Sequence, residues 1–290
     1  MSPLLFVLAM EYFTRLMTAA GDHSLFRFRP SCKSLKLNHL MFVDDVLIFS
    51  KAHLPTLQII HNTLEAFYKV AGLRANPEKS QIVCGGCNSQ LQQQCLEATG
   101  YREGGLPMKY LGVPLTASRL SKLECHSSVD NIMGKMRQWS TRNLSFAGRA
   151  LLINTVVFGM YGFWASIFIL PQEVITRITQ LCRNFLWGGT ADYKRPPPIS
   201  WDTICTPKKY GGLGLKNLTA WNKASVAKLV WCVALKKDML WVKWVHEKYL
   251  KQNDWWSYQA SYDSSWSWKK IVSTKEIFKQ GFSQQPCWTW

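Results

Sequence analysis

Apolar residues along this chain follow two different rhythms. Leu5, Leu8, Tyr12 and Leu16 recur three and four apart, which predicts a helix with these residues on one face, closed by Gly21. Ser2 as cap and Pro3 at the first helical position suit its start. Leu57, Ile60, Leu64, Phe67 and Ala71 repeat the pattern and predict a second amphipathic helix that ends at Gly72. Between the two helices the rhythm changes. Asn38 to Phe49 contains two strand-length apolar runs separated by Asp44-Asp45, a hairpin with the aspartates at or beside its tip. Farther on, Gln81-Ile82-Val83 reads as a short strand, and Pro107 to Leu115 as a strand, a tight turn and another strand. From about Leu120 onward the pattern is mainly helical. Strands therefore fall early in the chain and helices late.

The second half has fewer landmarks. Between Arg149 and Glu173 no side chain is charged, which is long enough for a membrane span. Asn154, Thr155, Ser166, Gly159 and Gly162 interrupt that stretch and Pro171 closes it, so a buried helical element is the expectation, and no membrane partner is assigned. Lys194-Arg195-Pro196-Pro197-Pro198 is a stiff, basic linker. The glycines of Gly211-Gly212-Leu213-Gly214 lack the spacing of a phosphate-cradling loop and read as a flexible turn. Trp221, Lys228, Trp231, Lys236, Lys237, Trp241, Lys243, Trp244 and Lys248 then decorate helices with a packed face and a basic face. The aromatic, polar tail from Trp255 to Trp290 shows no closing element.

Composition narrows the class of partner. The chain has 290 residues, 47% of them hydrophobic, and a net charge of +17. That excess favours a polyanion such as nucleic acid, and the 14 tryptophans add flat faces on which bases stack. Nine cysteines without framework spacing fit a reducing compartment. Cys84 and Cys87 form a lone CxxC. A zinc site would need further ligands, and Cys95 or His126 would have to come from unrelated elements, so no metal or redox role is assigned to it. The N-terminal apolar run lacks a basic leader and is interrupted by Glu11, so it is neither a secretion signal nor a span. A nuclear or cytoplasmic location is expected.

Asp44-Asp45 is the strongest chemical signal. As a bare turn it is odd, because two-residue hairpin loops favour Asn-Gly or Asp-Gly. Two carboxylates pressed together on buried strands also repel. A divalent cation removes both difficulties, and paired acids on a rigid hairpin suit Mg²⁺, which takes one or two carboxylates plus substrate phosphates. The competing reading is a solvated Asp-Asp turn.

Several stretches, in this order, resemble the reverse transcriptases of plant non-LTR (LINE-type) retrotransposons. Ser2-Pro3-Leu4-Leu5-Phe6 is similar to the start of the palm helix, and Phe42-Val43-Asp44-Asp45 to the catalytic aromatic-x-Asp-Asp hairpin. Phe67 to Ser80, with Gly72-Leu73, Asn76 and Lys79-Ser80, resembles the next palm block. Tyr110-Leu111-Gly112-Val113-Pro114-Leu115 resembles the strand turn that grips the primer end. Trp139, Leu144-Ser145, Ala147-Gly148-Arg149 and Leu152-Ile153 resemble the thumb, and Phe185-Leu186-Trp187-Gly188 with Gly211 to Gly214 the connector beyond it. The resemblance implies an α+β fold: a partial palm over residues 1–118, a helical thumb over 119–195 and a basic, Trp-rich connector over 196–290. It implies RNA-directed DNA polymerase chemistry with two Mg²⁺ ions, an RNA template and a DNA primer. Asp44 would ligate metal with Asp45 beside it, and Lys79 would neutralise or protonate pyrophosphate. Tyr110, Leu111 and Gly112 would place the primer end, and Lys135, Arg137, Arg142 and Arg149 would meet backbone phosphates.

The same resemblance implies a truncated chain. The family palm uses a third acidic residue on an upstream strand, and the fingers and a Gly-Asp-Pro-Leu stretch also lie upstream. A cysteine-histidine segment and an RNase H-like region would follow downstream. Two carboxylates without the third should hold the metal pair poorly, so this chain is expected to be inactive alone. The alternatives are a non-catalytic nucleic-acid-binding remnant or an inert gene fragment.

Overall fold

The computed structural model describes residues 2–116, 120–140, 143–192 and 196–283. The architecture is α+β, with few short strands and many helices. Two compact units divide the chain: residues 1–108 with 238–251, and residues 109–237 with 252–290.

In the first unit, α1 (Ser2–Gly21) packs on α2 (Leu54–Ala71). The α1 face that is buried is Phe13, Met17 and Ala20, not the Leu5–Leu8–Tyr12–Leu16 face expected from the sequence. Leu5 and Leu8 are exposed, together with Leu4 and Val7. The two stripes interleave on a helix that is apolar nearly all round, so periodicity alone could not choose between them. α2 behaves as expected. Ile60 and Phe67 are buried, and Gly72 closes the helix in the left-handed conformation, donating its N–H to the Tyr68 carbonyl. Phe13 and Phe67 meet edge to face, 5.2 Å apart, at the centre of a small core that also receives Met41 and Ile48.

Those last two residues come from a hairpin, β1 (His39–Phe42) paired antiparallel with β2 (Asp45–Ile48). Next comes β3 (Gln81–Ile82), then α3 (Ser89–Thr99) and β4 (Arg102–Glu103). β3 and β4 pair in parallel, because α3 supplies the crossover that parallel neighbours require. α3 has little apolar periodicity and is marked instead by its caps, with the Asn88 side chain accepting from the Leu91 N–H and Gly100 left-handed. Its Cys95 is buried and lies near enough to Cys84 and Cys87 for the three thiols to influence one another. Cys95, which sequence separation set apart, thus lies beside the CxxC pair. Burial, followed by the neighbouring thiols, pushes the Cys84 thiol up to about 11. Strands β5 (Met108–Tyr110) and β6 (Val113–Leu115) form a second hairpin.

Beyond β6 the regular elements of the second unit, among the described residues, are helices, with α4 (Lys122–Ser140), α5 (Phe146–Leu152), α6 (Phe158–Ile167), α7 (Gln172–Gly188), α8 (Trp201–Cys205), α9 (Leu218–Ala234) and α11 (Trp266–Ser283) among them. α10 (Leu240–Val245) groups with the first unit. One core runs from Val113 to Leu218 and includes Ile132, Met136, Val157, Tyr161, Ile178 and Phe185. The uncharged stretch is part of it. Tyr161 donates its hydroxyl to the Leu218 carbonyl at 2.9 Å. Asn222, 3% exposed, donates to the carbonyls of Ala165 and Phe168 and accepts from the Leu170 N–H. The segment Phe146–Ile167 is long and apolar enough for a span, yet Ile153, Val157, Phe158, Tyr161, Trp164 and Ala165 are buried against protein.

Two sequence expectations fail here. Gly211 to Gly214 is a pinned loop and not a flexible turn. The Leu213 N–H donates to Ile204 and the Gly214 N–H to Thr206, and a Cβ on Gly212 would lie 2.0 Å from the Thr206 carbonyl oxygen. The tail also holds an 18-residue helix, α11. Periodicity does not reveal it, because Lys275 occupies a buried position in it, donating to the carbonyls of Trp255 (3.0 Å) and Tyr258. Of the expected linker, Lys194 and Arg195 lie outside the described residues.

Candidate metal and nucleic-acid site

The acidic hairpin is built from its base upward. Asn38, buried at 3% exposure, donates its side-chain amide to the Met17 carbonyl at 2.5 Å, and its own carbonyl accepts the Phe49 N–H at 2.7 Å. The second bond closes the hairpin, and the first ties it to α1. Because the Asn38 amide nitrogen donates, its Oδ1 is the acceptor from His39 Nδ1 at 2.7 Å, which fixes the proton on Nδ1. His39 also stacks edge-on against Phe13, with ring centroids 5.8 Å apart. Burial lowers the His39 pKa below its ordinary value.

Alternation then sorts the side chains. Cα partners Met41 and Val46 share the face toward α1 and α2, while Phe42 and Asp45 share the opposite, exposed face. The connecting loop is Val43-Asp44, so Asp44 sits in the turn and Asp45 opens β2. Val43 takes φ +52, in the left-handed region that β-branched residues avoid, a strain of about 1–3 kcal/mol. The hairpin thus keeps a costly turn where glycine would relax it. Both aspartates are exposed, and among the described residues neither side chain makes a hydrogen bond or ion pair. The expectation of carboxylates on buried strands is corrected accordingly: solvent, not a buried partner, surrounds them. Two free carboxylates on a braced tip are suitable oxygen donors for a hard divalent cation. Among the described residues no group of three or more His, Cys, Asp or Glu is placed to hold a metal, so the fit is to part of a coordination shell.

The remaining candidate residues occupy other elements. Lys79 is exposed in a turn organised by Asn76, whose Oδ1 accepts from the Glu78 N–H and whose carbonyl accepts from Lys79 and Ser80. No described contact joins it to Asp44 or Asp45. Tyr110, Leu111 and Gly112 form the β5–β6 turn. Leu111 (φ +50) and Gly112 (φ +79) are both left-handed, as a type I′ hairpin turn requires. On α4 the buried stripe is Cys125, Val129, Ile132 and Met136, which leaves Lys135 and Arg137 exposed on either side. Arg142 lies outside the described residues. Arg149 on α5 is half-buried at the C-terminal end of α7. Its Nε is buried without a partner, and its Nη1 would be 2.9 Å from a Cβ on Gly189. A cation there complements the carbonyl end of the helix, a packing use that the sequence did not signal.

Residues 1–115 match the reverse transcriptase (RNA-dependent DNA polymerase) family. The match contains the acidic hairpin, the Lys79 turn and the β5–β6 turn. A protein of Arabidopsis thaliana named as a ribonuclease H protein is 32% identical over 178 residues, which is 60% of this chain and 28% of that relative. The chain therefore spans well under half the length of the curated relative it matches. The likeness to the reverse transcriptase family covers α1, the acidic hairpin and α2, and the likeness to the plant relative, over 178 residues, reaches past residue 115.

Proposed function

We propose that residues 1–115 form part of the palm of an RNA-directed DNA polymerase of non-LTR retrotransposon type. The observation that carries this reading is the exposed, unpaired Asp44-Asp45 tip, braced through Asn38 on the helix that precedes it. In such chemistry two divalent cations activate the primer hydroxyl and hold the departing pyrophosphate. Asp44 and Asp45 would hold Mg²⁺ through carboxylate oxygens. Lys79, exposed in its turn, is the cation for pyrophosphate. Tyr110, Leu111 and Gly112 position the primer end on a turn with defined backbone. Lys135, Arg137, Arg142 and Arg149 meet phosphates of the primer–template, with Arg149 tethered by its packing on α7. Residues 109 onward would then serve as thumb and connector, with Phe146–Ile167 as a core helix and not a span.

Two carboxylates are part of a metal shell, so the 290 residues by themselves should bind primed template without extending it. Primer extension on oligo(dT)-primed RNA with Mg²⁺, wild type against Asp44→Asn, tests this. Retained binding with no extension supports the reading, and Asp44-dependent extension contradicts the inactivity. A second reading, a nucleic-acid binder without catalysis, is favoured by the charge of +17. Its mark is binding that weakens steeply with salt and is indifferent to both aspartates.

A further inference from the structure

The loop between α8 and α9 carries a second constellation that polymerase chemistry leaves unused. It is pinned at three points: the Gly212 N–H donates to Pro207, the Leu213 N–H to Ile204 and the Gly214 N–H to Thr206. Gly212 has no room for a side chain, with Thr206 O 2.0 Å from where its Cβ would be. Gly211 (φ +85) and Gly214 (φ +68) adopt the left-handed conformation. These glycines therefore make a fixed platform.

The platform presents an alternation of cations and rings. Lys208, Lys209 and Tyr210 are exposed, Tyr210 at 72%, and Lys209 Nζ lies 4.7 Å from the Tyr210 ring centroid. Beyond the glycines, Lys216 Nζ lies 4.1 Å from the ring centroid of Trp221, which is 42% exposed in the first turn of α9. Among the described residues none of the three lysines pairs with a carboxylate. The nearby acid in sequence, Asp202, accepts from the Asn217 side chain at 3.4 Å instead. Lys209 and Lys216 rest instead on the neighbouring rings of Tyr210 and Trp221.

We propose that this loop and the start of α9 bind single-stranded nucleic acid. Lys208, Lys209 and Lys216 meet the phosphates, while Tyr210 and Trp221 stack unpaired bases. The inference rests on the reading that the chain engages nucleic acid, and it names the surface. A single strand fits better than a duplex, since exposed rings stack only on bases that are themselves unstacked. A platform fixed by its backbone also loses little freedom on binding.

The test is the affinity of the full 290-residue chain for a labelled oligo(dT) strand over a salt series. Three forms are compared: wild type, Lys209→Gln with Lys216→Gln, and Tyr210→Ala with Trp221→Ala. Losing two phosphate contacts should flatten the slope of log K against log salt by about 1.4. Losing both rings should weaken binding about tenfold or more while leaving the slope unchanged. Wild-type binding that neither pair alters overturns this surface and leaves the nucleic-acid reading standing. Absence of wild-type binding overturns both. If the aromatic pair fails to fold, the lysine pair still decides through its slope.

Discussion

The side-chain amide of Asn38 lies 2.5 Å from the carbonyl oxygen of Met17, and this buried bond joins the acidic hairpin to the last turns of α1. The hairpin has only four residues per strand and would be marginal alone. Replacing Asn38 with Ala removes the buried tie to the Met17 carbonyl and leaves the half-buried His39 Nδ1 without its acceptor. The expected loss is about 1–3 kcal/mol, read as a lower midpoint in urea unfolding. Asn38→Asp should be no better, because it cannot donate to Met17.

His39 gives this region a pH dependence. Burial holds its folded pKa below the ordinary 6.5, so the unfolded chain takes up the proton first as pH falls. The His39 contribution is complete above pH 6.5 and is lost as pH falls from there through the lowered folded value. Stability measured at pH 7.5 and at successively lower pH should decline more in wild type than in His39→Phe, which has no proton to bind.

The hairpin turn stores strain at Val43, whose φ is +52 and whose side chain is 65% exposed. Asn tolerates that backbone far better, and little packing is lost. Val43→Asn should stabilise the chain by about 1 kcal/mol in denaturant unfolding. A decrease of that size would mean that the turn is not strained as described.

Asn222 performs the matching task in the helical unit. Its three bonds, at 3.0, 2.9 and 2.7 Å, satisfy Leu170, Ala165 and Phe168 where α6 ends against α9. Asn222→Leu keeps the volume but strands three buried backbone groups. A loss of about 3 kcal/mol or more is expected by thermal or urea unfolding.

Much of this architecture could be read from the sequence, and the exceptions share a cause. The hairpin, α2 with its Gly72 cap and the Tyr110–Leu115 turn announce themselves through period and turn chemistry. The buried face of α1 did not, because Leu5–Leu8 and Phe13–Met17 are both apolar and only the packing of Phe67 selects between them. α3 and α11 were silent because caps define one, and a lysine that donates to two carbonyls sits in the interior of the other. Asp44 and Asp45 stood out as chemistry from the start. Their exposure, and the Asn38 brace beneath them, depend on contacts between residues far apart in the chain. Arg149 shows the converse, since its setting on the end of α7 comes from Gly189, which lies 40 positions away in the sequence.

The most direct measurement is metal-directed backbone cleavage. With Fe²⁺ in place of Mg²⁺ and primed template bound, a peroxide–ascorbate pulse cuts the chain where the ion rests. Cleavage centred on Val43–Val46, suppressed by excess Mg²⁺ and abolished in Asp44→Asn with Asp45→Asn, is the predicted result. Cleavage elsewhere, or at the hairpin but unchanged in that variant, would contradict a metal-binding role for the two aspartates.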